Sequence, residues 1–296
     1  MSISSHAVVL CSGKGSRFGD TKPKQFVMLN GYPIIFYILN TLLNCNFKIN
    51  IYLVILEEYK QIVNNILDTY IPKDSQQKIH LVIGDQTRQR SIQKAQQYIN
   101  SKNANTRDHV FVLDGVRPLV SSELLEEMNR LNDIHPVIGT YTDCVSTILE
   151  KEQDQMKSSL VRSKLAESHT PQIFRFDIFD KMYQHIDDYS LAHETECLNI
   201  ASKFADTQAY LYKTSLDQVM KITYKFDINI AEQFLKTKYK RVILITGGSK
   251  GIGRQLAMKL SNLGFKVIIC SRNREELSKV ADDLEVDYYT CDISNR

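Results

Sequence analysis

Residues 7–25 read AVVLCSGKGSRFGDTKPKQ, and the reading of this stretch decides the fold. Residues 7–10 form an apolar run of strand length, too short for a helix. Behind it come Gly13, Gly15 and Gly19, three of only 12 glycines in 296 residues. Glycine after a strand lets the backbone turn sharply and bring free amides close to a phosphate. The loop also carries four cations, Lys14, Arg17, Lys22 and Lys24. Amides plus several cations suit a triphosphate; a solvated basic loop is the alternative reading. A P-loop is excluded, because the Gly-Lys-Ser/Thr ending is missing. The third glycine also has the wrong spacing for a dinucleotide fingerprint.

Outward from the loop, further apolar runs at 51–55, 81–83 and 110–113 read as buried strands. Helical spacing follows them, as in Ile34, Ile38 and Leu42 after Pro33, and Ile92, Ala95 and Ile99 after Ser91. Such alternation predicts an α/β fold: a Rossmann-like, mostly parallel sheet covered on both faces. Ligands of such sheets sit outside the C-terminal ends of the strands.

A second glycine cluster stands about 230 residues later. Residues 241–254 read RVILITGGSKGIGR, again a strand running into Gly247, Gly248, Gly251 and Gly253. Two such loops predict two nucleotide sites on two domains, and the length agrees with a prior of about 150 residues per domain. The short, basic stretch 236–240 (KTKYK) reads as the linker. The expected domains are therefore 1–237 and 238–296.

Composition excludes several classes. The chain is 43% hydrophobic and 24% charged, with 37 basic and 34 acidic residues and a net charge of +3. That balance favours neither a nucleic-acid nor a membrane partner. No apolar run reaches the roughly 18 residues of a membrane span, and the N-terminus lacks a signal-peptide pattern. Six scattered cysteines without a C-x-x-C pair argue against a zinc site or a disulfide framework and fit a reducing cytoplasm.

Several motifs now resemble one family. G-x-G-S-R-F at 13–18 followed by P-K-Q at 23–25, Asp114-Gly-Val-Arg-Pro118, Thr170-Pro-Gln172 and Lys221-Ile-Thr223 occur in order over roughly residues 6–236. They resemble the signature of CTP-dependent cytidylyltransferases acting on sugar-alcohol phosphates, which include the 2-C-methyl-D-erythritol 4-phosphate and ribitol 5-phosphate enzymes. The resemblance implies an acceptor phosphate attacking the α-phosphorus of CTP and expelling pyrophosphate. It gives Arg17, Lys24, Arg162 and Lys221 catalytic roles, and Asp114 the Mg²⁺. A turn or capping aspartate is the alternative for Asp114. Cys11, Ser12, Gly13, Gly15, Gly84, Asp85, Arg88 and Ser91 would bind CTP. Arg117, Thr147 and Thr170 would contact the alditol phosphate. Arg162, eight residues before Thr170, would lie on an arm at 149–160 exchanged within a homodimer; a plain surface loop is the other reading.

The chain also departs from the family pattern. Cys11-Ser12 replace two small residues, and Cys11 reads as a small strand-end residue rather than a nucleophile. Gly84-Asp85 replaces a glycine pair before Arg88. Gln218 stands where the family has an aspartate, with Asp217 one residue earlier, and Glu196 is the candidate for the family's later acid. Val116 in Asp114-Gly-Val-Arg-Pro118, and the order Val161-Arg162-Ser163, lean toward a ribitol-type acceptor.

The second loop resembles the cofactor loop of short-chain dehydrogenase/reductases, which implies cofactor contacts at Gly247, Lys250, Gly251, Gly253, Arg272 and Asp292. No acid follows the strand 266–270; Arg272 and Lys250 suit a 2′-phosphate, so NADP rather than NAD is implied. A strand–helix turn that binds nothing is the alternative. Tyr288 and Tyr289 have no lysine four residues on, so the Tyr-x-x-x-Lys pair of that family is missing and hydride transfer is not expected. The tail reads as a truncated reductase on a fused cytidylyltransferase, an organisation that also favours ribitol. The expected reaction is CTP plus ribitol 5-phosphate giving CDP-ribitol and pyrophosphate, the product serving surface polymers. The rivals are methylerythritol phosphate as acceptor, an isoprenoid step, and a non-catalytic nucleotide-binding remnant.

Overall fold

In the computed structural model the described residues are 3–13, 15, 17–19, 22–238, 242–262 and 265–294. Lys14 of the first loop and Arg241 before the second strand run lie outside them. The chain divides into two compact units, Met1–Ala231 and Glu232–Arg296.

The first unit contains β1 (Ser5–Leu10), β2 (Met28–Leu29), β3 (Tyr32–Pro33), β4 (Ile49–Ile55), β5 (Ile79–Ile83), β6 (His109–Asp114), β7 (Val137–Asp143), β8 (Leu149–Glu152), β9 (Gln155–Ser159), β10 (Ala166–Arg175) and β11 (Tyr210–Lys213). Seven of these form one sheet in the order β11-β7-β10-β6-β1-β4-β5. All pairings are parallel except those of β10, which runs antiparallel to both β6 and β7.

The sequence of β1 explains its central place. Ala7 and Val9 pack with Ile35, Ile38, Leu39 and Leu42 of the helix Ile34–Leu43. Val8, facing the other way, packs with Ile92, Ala95 and Ile99 of the helix Arg88–Ser101. With helices on both faces, Ala7, Val8 and Val9 are all buried, so this part of the strand reads as continuous apolar residues rather than alternation. Each such fully buried side chain contributes about 1.5–3 kcal/mol.

The helix expected after Ser91 begins earlier, at Arg88, because Thr87 caps it: Thr87 Oγ1 accepts from the Arg90 amide at 3.2 Å. Polar residues 149–160 form the hairpin β8–β9, exposed nearly throughout. The linker expected at 236–240 is partly helical, since the helix Phe226–Lys238 runs through its first residues.

The second unit contains β12 (Val242–Thr246), β13 (Lys266–Ser271) and β14 (Asp287–Thr290), a parallel three-stranded sheet in sequence order. The helices Gly251–Asn262 and Arg274–Leu284 connect them. The core is small: Ile245, Ala257, Val267, Ile269, Leu277, Val280 and Ala281.

Candidate active site

A cavity of about 960 Å³ opens at the C-terminal ends of β1, β4, β5 and β6. Its wall includes Cys11, Ser12, Gly13, Gly15, Arg17 and Lys24 from the first loop, Gly84, Asp85 and Arg88 beyond β5, and Asp114 and Lys221.

The first loop is shaped from within. Gln25 Nε2 donates to the Cys11 carbonyl at 2.8 Å and to the Gly13 carbonyl at 3.1 Å, which fixes where these two carbonyls point. Gly15 has φ +68°, and a Cβ there would stand 3.5 Å from Lys24 Cγ. The left-handed backbone thus lets the Lys24 stem lie against the loop. Cys11 is buried, and burial, with Asp114 nearby, pushes its thiol far up. It is no nucleophile.

Asp114 ends β6 and organises the cations. Its Oδ2 stands 3.0 Å from Lys221 Nζ and 3.2 Å from Arg117 Nε. Burial opposes ionisation, but Lys221, Arg117 and Arg88 outweigh it and hold the carboxyl well below the usual carboxylate range. Lys24 Nζ donates to the Ile222 carbonyl at 2.8 Å. Burial, then the neighbouring Lys221 and Arg17, lower its ammonium to about 8. Arg88 Nη1 donates to the Thr195 carbonyl at 3.1 Å and to Cys197 Sγ at 3.0 Å, and Asp114 acts on its charge from further off. Elsewhere in the wall Asp85 pairs with Lys94 at 2.9 Å and Glu57 with Lys60 at 3.6 Å. Arg17, Lys24, Arg88 and Lys221 therefore line one cavity with Asp114, and among the described residues Asp227 is the other carboxylate that acts on Lys24. Such an excess of positive charge in a confined space attracts polyanions.

The segment carrying Lys221 is pinned from several sides. The Ile222 amide donates to the Val116 carbonyl at 3.0 Å. Asp227 Oδ2 accepts from the Thr223 and Tyr224 amides, both at 2.7 Å.

Other expected residues lie elsewhere. Ser91 is fully buried behind the wall, where its hydroxyl accepts from the Asp85 amide at 2.9 Å and braces that loop. A Cβ on Gly84 would stand 3.0 Å from that hydroxyl and from Val54 Cγ1, so a side chain here would press both neighbours aside by a few tenths of an ångström. Arg117 turns inward to Asp114 and the Val219 carbonyl. Thr170 is buried, its Oγ1 accepting from the Asp114 amide at 3.2 Å. Thr147 and Arg162 are exposed at the base of the hairpin, with Arg162 Nη1 donating to the Val145 carbonyl at 2.9 Å. Neither reaches the cavity wall of its own chain.

Sequence reasoning missed Gln25, Glu57, Glu58, Lys94 and Asp227. Gln25 was legible in Pro-Lys-Gln, and the two glutamates follow a strand end. Lys94 and Asp227 carry no linear signal.

This geometry agrees with the comparisons. Residues 5–237 match the family model for 2-C-methyl-D-erythritol 4-phosphate cytidylyltransferase. The chain belongs to that family. A human D-ribitol-5-phosphate cytidylyltransferase is 33% identical over 245 residues, covering 81% of this chain and 53% of that protein. The chain thus spans about half the length of that relative. A 2-C-methyl-D-erythritol 4-phosphate cytidylyltransferase from Thermosipho melanesiensis is 30% identical, covering 75% of this chain and 93% of that protein. The solved Francisella tularensis 2-C-methyl-D-erythritol 4-phosphate cytidylyltransferase shares the fold, with TM-score 0.64 and 22% identity over 78% of this chain and all of that one. Residues 241–296 match the short chain dehydrogenase family model.

The second unit has its own cavity of about 580 Å³, lined by Gly247, Lys250, Arg272 and Asp292 among others. Gly247 and Gly251 have φ +69° and +52°. A Cβ on Gly253 would overlap the Gly247 carbonyl, and one on Gly248 would stand 2.6 Å from Ile269 Cβ. Lys250, expected to meet a phosphate, lines this cavity and pairs with Glu276 at 2.6 Å.

Proposed function

We propose that the chain transfers a cytidylyl group from CTP to D-ribitol 5-phosphate, giving CDP-ribitol and pyrophosphate. The observation that carries this reading is the convergence of Arg17, Lys24, Arg88 and Lys221 around Asp114 in one cavity. The ribitol relatives support the choice of acceptor.

An acceptor phosphate oxygen attacks the α-phosphorus in line; the new P–O bond forms as the bond to pyrophosphate breaks. Negative charge grows on the α-phosphoryl oxygens and the leaving group. In this reading Arg17 and Lys24 meet it, and Lys221 holds the acceptor phosphate. Such catalysis is mainly positioning and charge neutralisation. The donor set at Asp114 fits Mg²⁺: Lys221 and Arg117 both approach Oδ2, and Mg²⁺ needs only one or two carboxylates when phosphate oxygens complete its shell. When bound there, the ion would neutralise triphosphate charge.

The exposed hairpin β8–β9, with Arg162 and Thr147 at its base, supports arm exchange in a homodimer, the partner's arm completing the acceptor site. The free cysteines support work in the reducing cytoplasm. Among the described residues no helix is long and apolar enough to cross a membrane. We assign 1–237 to the transferase and 238–296 to a dehydrogenase-like segment whose glycine loop, Arg272 and Asp292 suit NADP. Pyrophosphate release from the purified chain, with ribitol 5-phosphate and methylerythritol phosphate compared, tests the acceptor. Equal or faster turnover of the methylerythritol compound overturns the choice of ribitol.

A further inference from the structure

We propose that His169, anchored by Thr142, reads a hydroxyl of the polyol phosphate and helps set which polyol is accepted. The inference rests on the cytidylyl-transfer reading and concerns a residue that is not in the cavity wall itself but is next in the chain to Thr170, which bonds the Asp114 amide.

The placement follows from strand order. β10 lies between β6 and β7, and its ladder with β7 breaks between His169 and Gln172. Within that irregularity Thr170 accepts the Asp114 amide, so His169 is the residue next to the one touching the acid. Its Nε2 lies 2.8 Å from Thr142 Oγ1 on β7. The ring is half-buried, and among the described residues Nδ1 has no partner.

The surrounding charges decide what this ring can bind. Burial, then Arg117 and Lys221, drive the imidazole down to about 4 against the pull of Asp114. At neutral pH it is uncharged and adds nothing to phosphate binding, which the cations already serve. It offers one hydrogen-bonding role. If Nε2 donates to Thr142, Nδ1 is left as an acceptor; if the threonine hydroxyl donates, Nδ1 carries the proton. A hydroxyl satisfies either tautomer, and an open-chain polyol presents several. A site built to bond a hydroxyl discriminates strongly against an analogue lacking it, because a buried polar group is left unpaired.

Steady-state kinetics on the full chain test this, varying CTP and ribitol 5-phosphate separately. His169→Ala is expected to raise KM for the polyol phosphate by about tenfold or more, with KM for CTP within about twofold of wild type. His169→Gln, which keeps a donor and an acceptor, recovers part of the loss. Thr142→Val keeps the volume, removes the anchor, moves KM in the same direction, and carries the test if His169→Ala does not fold. Wild type loses turnover on a ribitol phosphate deoxygenated at the recognised carbon, whereas His169→Ala loses nothing further. Unchanged polyol KM in the variants, or equal shifts in both KM values, overturns this inference alone. A wild-type chain that turns over no polyol phosphate overturns it together with the cytidylyl-transfer reading.

Discussion

Lys24 sits where three cations compete, and its chemistry follows from that crowding. Its ammonium is lowered to about 8 by burial and by Lys221 and Arg17, so in the free protein it loses its proton as pH rises through that value. In stability terms, a lysine depressed from its unfolded value of 10.5 costs most below pH 8, and the cost fades as pH climbs toward 10.5. For activity the sign is opposite, because the charged form binds phosphate. The kcat/KM for CTP is therefore expected to fall on an alkaline limb near pH 8, and Lys24→Ala to lower kcat by about a hundredfold or more with the fold intact. A flat profile up to pH 9.5 would count against the assignment. Asp114→Ala leaves Arg117 buried without its carboxylate, and a denaturant titration is expected to show a loss of about 3–5 kcal/mol. Cys11 and Gly115 form a matched pair, since a Cβ on Gly115 would overlap Cys11 Sγ. Gly115→Ala should cost about 1–3 kcal/mol by overpacking. Adding Cys11→Ala should restore much of that, which a double-mutant cycle reads directly.

At the scale of elements, β1 and β6 carry the site because both are buried on two faces, which fixes where their C-terminal ends emerge. Their apolar runs were legible in sequence for the same reason. β10 was not read as a strand: residues 167–169 are polar, the strand is antiparallel to its neighbours, and its ladder breaks beside His169. The hairpin β8–β9 contributes nothing to the core, since its residues are almost all exposed. Replacing 149–160 by a short turn should leave the thermal transition of the first unit within a few degrees of wild type while abolishing transfer. Retention of full activity in that variant would remove the arm from the acceptor site.

At the scale of the molecule, the proposed exchange of the arm would make each acceptor site a shared one. Mixing an Arg162→Ala chain with a Lys24→Ala chain should then regenerate activity, because each mixed dimer contains one site free of both changes. Ultracentrifugation should show the dimer, and no recovery on mixing would argue for sites built within single chains. The second unit repeats the strand–glycine–helix logic with three strands and a small core. Gly248 and Gly253 are there for contact reasons, as the overlap of a Gly253 Cβ with the Gly247 carbonyl shows, and Gly247 and Gly251 for their positive φ.

The amino-acid order alone was enough to mark the two glycine loops, the doubly covered sheet and the ordered motifs, because each is a local pattern of residue types along the chain. Only tertiary structure showed that Ser91 braces from behind, that Arg117 faces inward, that Glu276 engages Lys250 and that His169 stands beside the acid. Those facts depend on which segments, tens of residues apart, are folded against one another. Burial and neighbouring charge, which set what each side chain can do, exist only once that folding has happened.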